Sequence, residues 1–259
     1  MPISIHGKRI IVTGGASGIA AAAVKALARE GADIVSFDVT EAEGRKIAEQ
    51  ASSEGPGKVD FRRVDVRRRQ EVEQAVSAAV TKLGGLDAVL NIAGVERTGL
   101  IGALADEDIE LMFDVNVKGL MAICAASFPH LKEQGGSIVN FGSDAGLGAS
   151  TGHAYYGASK GAVHAFTRQA AAEYGRHNVR VNTVIPAIWT PMYDAYRDRM
   201  SDEELRNHDA AMAQHIPLGG KLGDATADIS PVLMFMVSDA SRFITGQIIA
   251  VNGGIGMVR

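Results

Sequence analysis

Tyr156 and Lys160 stand four residues apart, a spacing that brings both side chains to nearly the same side of a helix. The chemistry that uses such a pair is acid–base catalysis. A free phenol ionises near ~10, too high to act as a base at neutral pH. A lysine ammonium close by favours the phenolate and lowers that value. Bringing it to around 7 takes about 4 kcal/mol of differential stabilisation. Tyr155 competes for the role, but it lies about 140° round the helix from Lys160. Tyr156 is therefore expected to face the lysine. Tyr and Lys at this spacing also occur by chance on solvated helices, so the pair takes its weight from what the chain places beside it.

The elements that must position the pair are legible as short apolar strands alternating with amphipathic helices. Strands are expected over 8–13, 33–38, 59–64, 86–92, 137–141, 178–185 and 247–251. Helices are expected over 17–30, closed by Gly31, then after a capping box at Thr40-Glu41-Ala42-Glu43, and over 68–83. A long helix over 106–132, the helix carrying Tyr156 and a last one over 225–237 complete the series. Strands apolar throughout and joined by helices predict an α/β fold, a single doubly wound domain over 1–259 with a seven-stranded parallel sheet and helices on both faces. No internal repeat or low-complexity segment interrupts it.

Composition narrows the function classes. Hydrophobic residues make up 46% and charged residues 22%, ordinary for a globular chain. A net charge of -4 argues against nucleic acid as the main partner. The single cysteine, Cys124, excludes an intrachain disulfide and fits a reducing compartment. Met1-Pro2-Ile3-Ser4 lacks the basic and apolar parts of a signal peptide, and no apolar run is read as membrane-spanning, so a cytoplasmic protein without a membrane partner is expected. The seven histidines show no metal-ligand spacing, and no metal site is expected.

The first strand-to-helix turn reads Thr13-Gly14-Gly15-Ala16-Ser17-Gly18-Ile19-Ala20. Glycines there let the backbone turn tightly and approach a pyrophosphate lying at the positive end of the next helix. A bare glycine-rich turn could be only a tight loop, but this one follows the first strand and opens a helix, the context of a dinucleotide (Rossmann) site. Asp38 ends the second strand about 20 residues on, where a carboxylate can accept from the adenosine ribose hydroxyls. The alternative is a helix N-cap, but Thr40 is expected to take that job and free Asp38 for the ligand. A carboxylate there repels a 2′-phosphate and no cation at Ala16, Ser17 or Val39 compensates, so NAD is preferred to NADP. Asp65 and Val66, closing the third strand, are further cofactor candidates. Asp65 could accept from the adenine amino group or serve equally as a turn former.

With these residues in place the chain resembles the short-chain dehydrogenase/reductase family over essentially its whole length. The resemblance is carried by Thr13-Gly14-x-x-x-Gly18-Ile19, Asn91-x-Ala93-Gly94, Asn116, Ser143, Tyr156-x-x-x-Lys160 and Ile185-Pro186-x-x-x-Thr190. It implies Asn116, Ser143, Tyr156 and Lys160 as the catalytic four. It adds Asn91, Ala93, Gly94 and Pro186 to the cofactor site, with Ile188 and Thr190 at the nicotinamide carboxamide. It also implies a water held by Asn116 that relays protons to Lys160, and a homotetramer built partly on the small residues of the Tyr156 helix. Read bottom-up, Asn116 could be an ordinary satisfied core amide and Ser143 an ordinary strand-end turn residue. At a strand's carboxyl end, however, the Ser143 hydroxyl could bond the substrate oxygen as charge develops there. Two residues depart from the family pattern, Ala20 and Ala187, where glycine is usual. Ala187 costs little unless its φ is positive.

The segment 186–218 is long for a connection and reads as a substrate-binding lid. It carries Trp189, Met192, Tyr193 and Tyr196, which could line an apolar pocket or pack a lid helix onto the body. Glu96, Asp144, His153 and Tyr155 flank the motif residues. Two acids near the site disfavour an anionic substrate and point to a small neutral alcohol or ketone. His153 and His208 read as surface or pocket groups. Arg62, Arg63, Arg67, Arg68 and Arg69 read as a solvated face. The expected function is an NAD-dependent dehydrogenase of secondary alcohols. An NADP-linked ketoreductase and a non-catalytic NAD-binding regulator are the alternatives.

Overall fold

The protein is seen in a computed structural model that describes residues 3–256; Met1 and Pro2, part of the amino-terminal stretch read above, residues 257–259 and the side chain of Met192 lie outside it. Strands β1 (Arg9–Thr13), β2 (Asp33–Asp38) and β3 (Val59–Arg63) alternate with helices α1 (Gly18–Arg29), α2 (Glu41–Glu54) and α3 (Arg69–Leu83). Strand β4 (Ala88–Asn91) leads to α4 (Asp106–Phe113) and α5 (Leu120–Leu131), and β5 (Gly136–Phe141) leads to α6 (Ala154–Tyr174). Strand β6 (Val179–Pro186) is followed by α7 (Pro191–Arg197), α8 (Asp202–His215) and α9 (Ser230–Val237), and β7 (Ile248–Val251) ends the series.

The seven strands form one parallel sheet in the order β3-β2-β1-β4-β5-β6-β7. Successive side chains of a strand face opposite ways. Ile10 and Val12 of β1 therefore join Leu27 of α1 and Leu233 and Met236 of α9 on one face. Ile11 joins Val72 and Val76 of α3, Ile123 of α5 and Val163 of α6 on the other. Each fully buried Leu or Ile adds about 1.5–3 kcal/mol. Both β2 and β4 pair with β1, so the chain reverses its direction of travel across the sheet there. Such a reversal opens a crevice at the carboxyl ends of the strands.

Three expectations change. The capping box at Thr40 does not form: the Thr40 side chain caps nothing, and its backbone N–H donates to Asp38 Oδ1 at 2.9 Å. That is the donor Glu43 had to reach, and the nearer carboxylate takes it. The long helix over 106–132 is interrupted by a π-helical segment, Asp114–Gly119. The wider turn carries Asn116 inward, where its amide accepts from Val95 N and donates to Val95 O, both at 2.8 Å. The run Asp106–Leu131 is, contrary to expectation, long and apolar enough to cross a membrane by length and composition. It serves as a core helix: Ile123, Cys124 and Leu131 are fully buried against the sheet.

The lid segment contains α7 and α8. Ser201 caps α8 in a capping box with Glu204. The two helices are stapled by the Arg197–Asp209 ion pair and by Tyr193 Oη against His208 Nε2 at 2.7 Å. The Arg197 guanidinium lies 5.0 Å over the Trp189 ring. Trp189, Tyr193 and Tyr196 thus pack against one another within the lid, an arrangement that is neither of the two expected.

Candidate active site

A cleft of about 550 Å³ opens at the carboxyl ends of the strands. At its centre Gly14 has φ +79° and a Cβ there would stand 3.0 Å from the Ala93 backbone, so only glycine fits. Ser17 opens α1 without a side-chain cap, and the first turn holds no acid. The first N–H groups of α1 are thereby left for a ligand, with Gly14, Ser17, Gly18 and Ile19 all lining the cleft. Thr13 Oγ1 accepts from the N–H groups of Ile92 and Ala93, both at 3.1 Å, and so ties the β4 loop to the glycine turn.

At the outer end Asp38 lines the cleft, its Oδ2 accepting from Ala16 N at 3.1 Å. With Thr40 N on Oδ1, the carboxylate is held by two backbone donors rather than freed by a Thr40 cap. Asp65 is buried, and Arg67 clasps it through Nη2 at 2.7 Å, which holds its carboxyl below the usual carboxylate range. Arg67 N also donates to Asp65 Oδ1, at 3.1 Å, so the geometry favours the turn-former reading. Asp65 nevertheless lines the wall, with Val66, Arg67, Ala93 and Gly94. Of the basic cluster, Arg67 departs from a solvated face by lining the cleft, while Arg69 pairs with Glu73 at the surface.

Asn91 is placed elsewhere. It is buried, and its Nδ2 donates to Asn140 Oδ1 at 2.9 Å and to Cys124 Sγ at 3.3 Å. Asn140 in turn donates to Thr167 Oγ1 at 2.9 Å, so Asn91 belongs to a polar chain beneath the cleft and does not line it. At the opposite end Pro186 and Thr190 line the cleft, and Thr190 also caps α7 by accepting from Tyr193 N. The Ile188 side chain turns away into the core and a second cavity near β7. Of the two departures, Ala20 is buried in the α1 core. Among the described residues only Asn178 has a positive φ without being glycine, so Ala187 carries no strain.

Helix α6 sets Tyr156 and Lys160 on the cleft wall, as their spacing predicts. Tyr155 points away, its hydroxyl accepting from Gly102 N at 3.1 Å. Lys160 Nζ donates to Phe141 O at 2.8 Å and lies 5.8 Å from the Tyr156 ring centroid. Burial pulls the ammonium down to about 8. Burial, with the Glu96 charge, pushes the phenol above its ordinary value, and only the Ser143 hydroxyl opposes this. The expectation of a phenol already lowered by Lys160 is therefore corrected: the ammonium is engaged with Phe141 O, and burial of the phenol dominates. Ser143 begins the turn Asp144–Gly146, its Oγ accepting from Ala145 N at 3.2 Å. Asn116 Nδ2 also reaches Ser159 Oγ at 3.1 Å, and Ser159 bonds the Tyr156 carbonyl at 2.7 Å. The Asn116 amide is thus spent on orienting the β4 loop and α6.

Sequence reasoning passed over three partners. Ser159 lies inside the Tyr–Lys spacing and could have been found there as the inward polar residue. Asn252 donates to Asp144 Oδ1 at 2.9 Å and draws that acid toward the end of β7; nothing in the sequence signals it. His164, four residues after Lys160, is buried with both ring nitrogens unpaired, directly beneath Gly142 and Gly146. Burial lowers His164 to about 4. Its unfolded value is near ~6.5, so the unfolded chain takes up the proton first. Stability is unaffected by this group above pH ~6.5 and falls as pH drops toward about 4, by up to about 3 kcal/mol. Urea denaturation at pH 7 and pH 4.5 should show that loss, and His164→Leu should reduce it. Equal acid sensitivity in the variant would contradict the assignment.

A family model described as enoyl-(acyl carrier protein) reductase matches residues 14–256. A 3-oxoacyl-(acyl-carrier-protein) reductase of Thermotoga maritima is 34% identical over 254 residues, 97% of this chain and 98% of that protein. An L-fucose dehydrogenase of Mus musculus is 34% identical over 250 residues, 96% of this chain and 88% of that protein. Among solved structures, carveol dehydrogenase from Mycobacterium avium in complex with NAD superposes with a TM-score of 0.88 at 28% identity, covering 96% of this chain and 98% of the other.

Proposed function

Because this chain belongs to the short-chain dehydrogenase/reductase family, we propose that it is an NAD-dependent oxidoreductase interconverting a small neutral secondary alcohol and its ketone. The observation that carries the reading is the placement of Tyr156 and Lys160 on one wall of a cleft whose centre is the uncapped α1 N-terminus. Gly14, Ser17, Gly18 and Ile19 hold the pyrophosphate, Asp38 the adenosine ribose, and Thr190 and Pro186 the nicotinamide end. A bound nicotinamide supplies the hydride acceptor or donor. The residues do the rest. Tyr156 gives its proton to the ketone oxygen in reduction and takes it from the alcohol in oxidation. Ser143 donates to the same oxygen as charge develops there. Lys160 supplies the positive charge that stabilises Tyr156 once it has lost its proton, and Asn116 holds the loop and helix in register.

Burial keeps the Tyr156 phenol in its protonated form at neutral pH, the form that donates in ketone reduction, and oxidation requires that proton to be lost first. The protein is taken as one catalytic domain with 186–218 as its lid, working in the cytoplasm. A homotetramer is proposed on the exposed small face of α6 at Ala158 and Ala165.

Cofactor choice is tested at Asp38. In Asp38→Ala, kcat/KM with NAD should fall about tenfold or more, the cost of hydrogen bonds to a charged group. The NAD-to-NADP ratio should fall further, because the charge that repels a 2′-phosphate is gone. Structural damage alone would leave the ratio fixed. A wild-type enzyme that already prefers NADP would refute the NAD assignment.

A further inference from the structure

Glu96 stands on the loop after β4 and lines the cleft with Tyr156. Its charge acts on both members of the pair, raising Tyr156 and Lys160 alike. A carboxylate that opposes ionisation of the catalytic phenol is a cost to alcohol oxidation, and such costs are retained at functional sites. No lysine or arginine side chain among the described residues pairs with it. Arg97, its neighbour, turns to Asp108 at 3.0 Å and touches Glu96 only at the backbone carbonyl.

The one side-chain partner of Glu96 among the described residues is His153, whose Nε2 lies 3.2 Å from Oε1. His153 sits at the start of α6, with Nδ1 3.2 Å from Ser150 Oγ and 3.1 Å from Thr151 O. A neutral imidazole accepts from the Ser150 hydroxyl at Nδ1, and a charged one donates to Thr151 O. In both states Nε2–H is directed at Glu96. One carboxylate oxygen is thus fixed, and the other has no side-chain partner among the described residues, on a residue that lines the cleft. An ionised carboxylate only accepts, so its complement is a donor on the substrate. The His153 N–H already serves the charge, which favours a hydroxyl over an ammonium.

We propose that Glu96, held by His153, is a subsite for a second hydroxyl beside the reacting carbon, and that the substrate class is a vicinal diol or the matching α-hydroxyketone. The proposal rests on the oxidoreductase reading above. In oxidation Tyr156, having first given up its own proton to solvent, takes the carbinol O–H proton, and the carbinol C–H leaves as hydride to the acceptor that a bound nicotinamide would supply. The carbinol carbon becomes the ketone, and the second hydroxyl keeps both its bonds.

The test compares kcat/KM with NAD for cyclohexanol, the cis and trans 1,2-cyclohexanediols and 2-aminocyclohexanol, in wild type, Glu96→Gln and Glu96→Ala. One diol isomer should exceed cyclohexanol by about tenfold or more in wild type, carried mainly by KM. That ratio should fall toward about one in Glu96→Ala. In Glu96→Gln it should fall part of the way, because the neutral amide oxygen accepts less strongly. Retained NADH binding, read by fluorescence, establishes that the variants are folded. Turnover with no diol preference, a preference that survives Glu96→Ala, or a preference for the amino alcohol overturns the subsite alone. Reduced nucleotide from none of the four alcohols, with either NAD or NADP, removes the subsite and the reading of the site as an oxidoreductase of such alcohols together.

Discussion

Tyr156→Phe is expected to lower kcat by about 10²–10⁴-fold while NADH binding stays within about threefold of wild type. The change removes one oxygen. The ring still fills its place on the α6 wall, and the Ser159 contact to the residue 156 carbonyl persists because it is a backbone bond. What is lost is the group that moves the proton, about 3–5 kcal/mol of barrier. The loss should fall on kcat, because the hydroxyl matters most when charge develops on the substrate oxygen. Steady-state kinetics in both directions, with NADH fluorescence titration, make the check. A variant that loses NADH binding in proportion to activity would assign Tyr156 to cofactor binding alone, and an active variant would remove it from the chemistry.

Lys160→Met should have the next largest effect, about 10²-fold on kcat. The ammonium is buried and sits near 8, so at pH 7 it is mostly charged. Its value is lowered by burial, so the charge is present below pH ~8 and lost as pH rises through that point. Ketone reduction needs the neutral phenol and the ammonium together. Its wild-type rate should therefore stay level from pH 6 to about 7.5 and decline through about 8. In Lys160→Met that decline should vanish, since no ammonium remains to titrate. The variant also strands the Phe141 carbonyl, which costs about 1–3 kcal/mol of stability. Urea denaturation separates that cost from catalysis. A decline near pH 8 that survives in the variant would mean another group titrates there.

Strand and helix order was legible because the central strands, such as β4 and β5, are buried on both faces and the edge strand β3 alternates, patterns that local sequence records. The glycine turn was legible for a similar reason: a positive φ at Gly14 leaves a residue-type signature. The Tyr156–Lys160 pair could be read from helical geometry alone. What escaped depends on distance in sequence. Asn91 bonds to Asn140, 49 positions on, and Asp144 to Asn252, 108 positions on, and no periodicity reports such contacts. The Thr40 capping box failed because a nearer acceptor, Asp38, stood two residues away. The phenol's elevation is a burial effect, and burial is a property of the assembled cleft rather than of the spacing that suggested it.

The most direct measurement uses cyclohexane-1,2-diol deuterated at the carbinol carbons, incubated with NAD and wild-type protein, followed by mass and NMR analysis of the nucleotide. Deuterium at C4 of the reduced nicotinamide is the expected result, with formation slowed about 10²–10⁴-fold in Tyr156→Phe. Reduced nucleotide without deuterium, or NAD bound with none reduced, would contradict hydride transfer in this cleft.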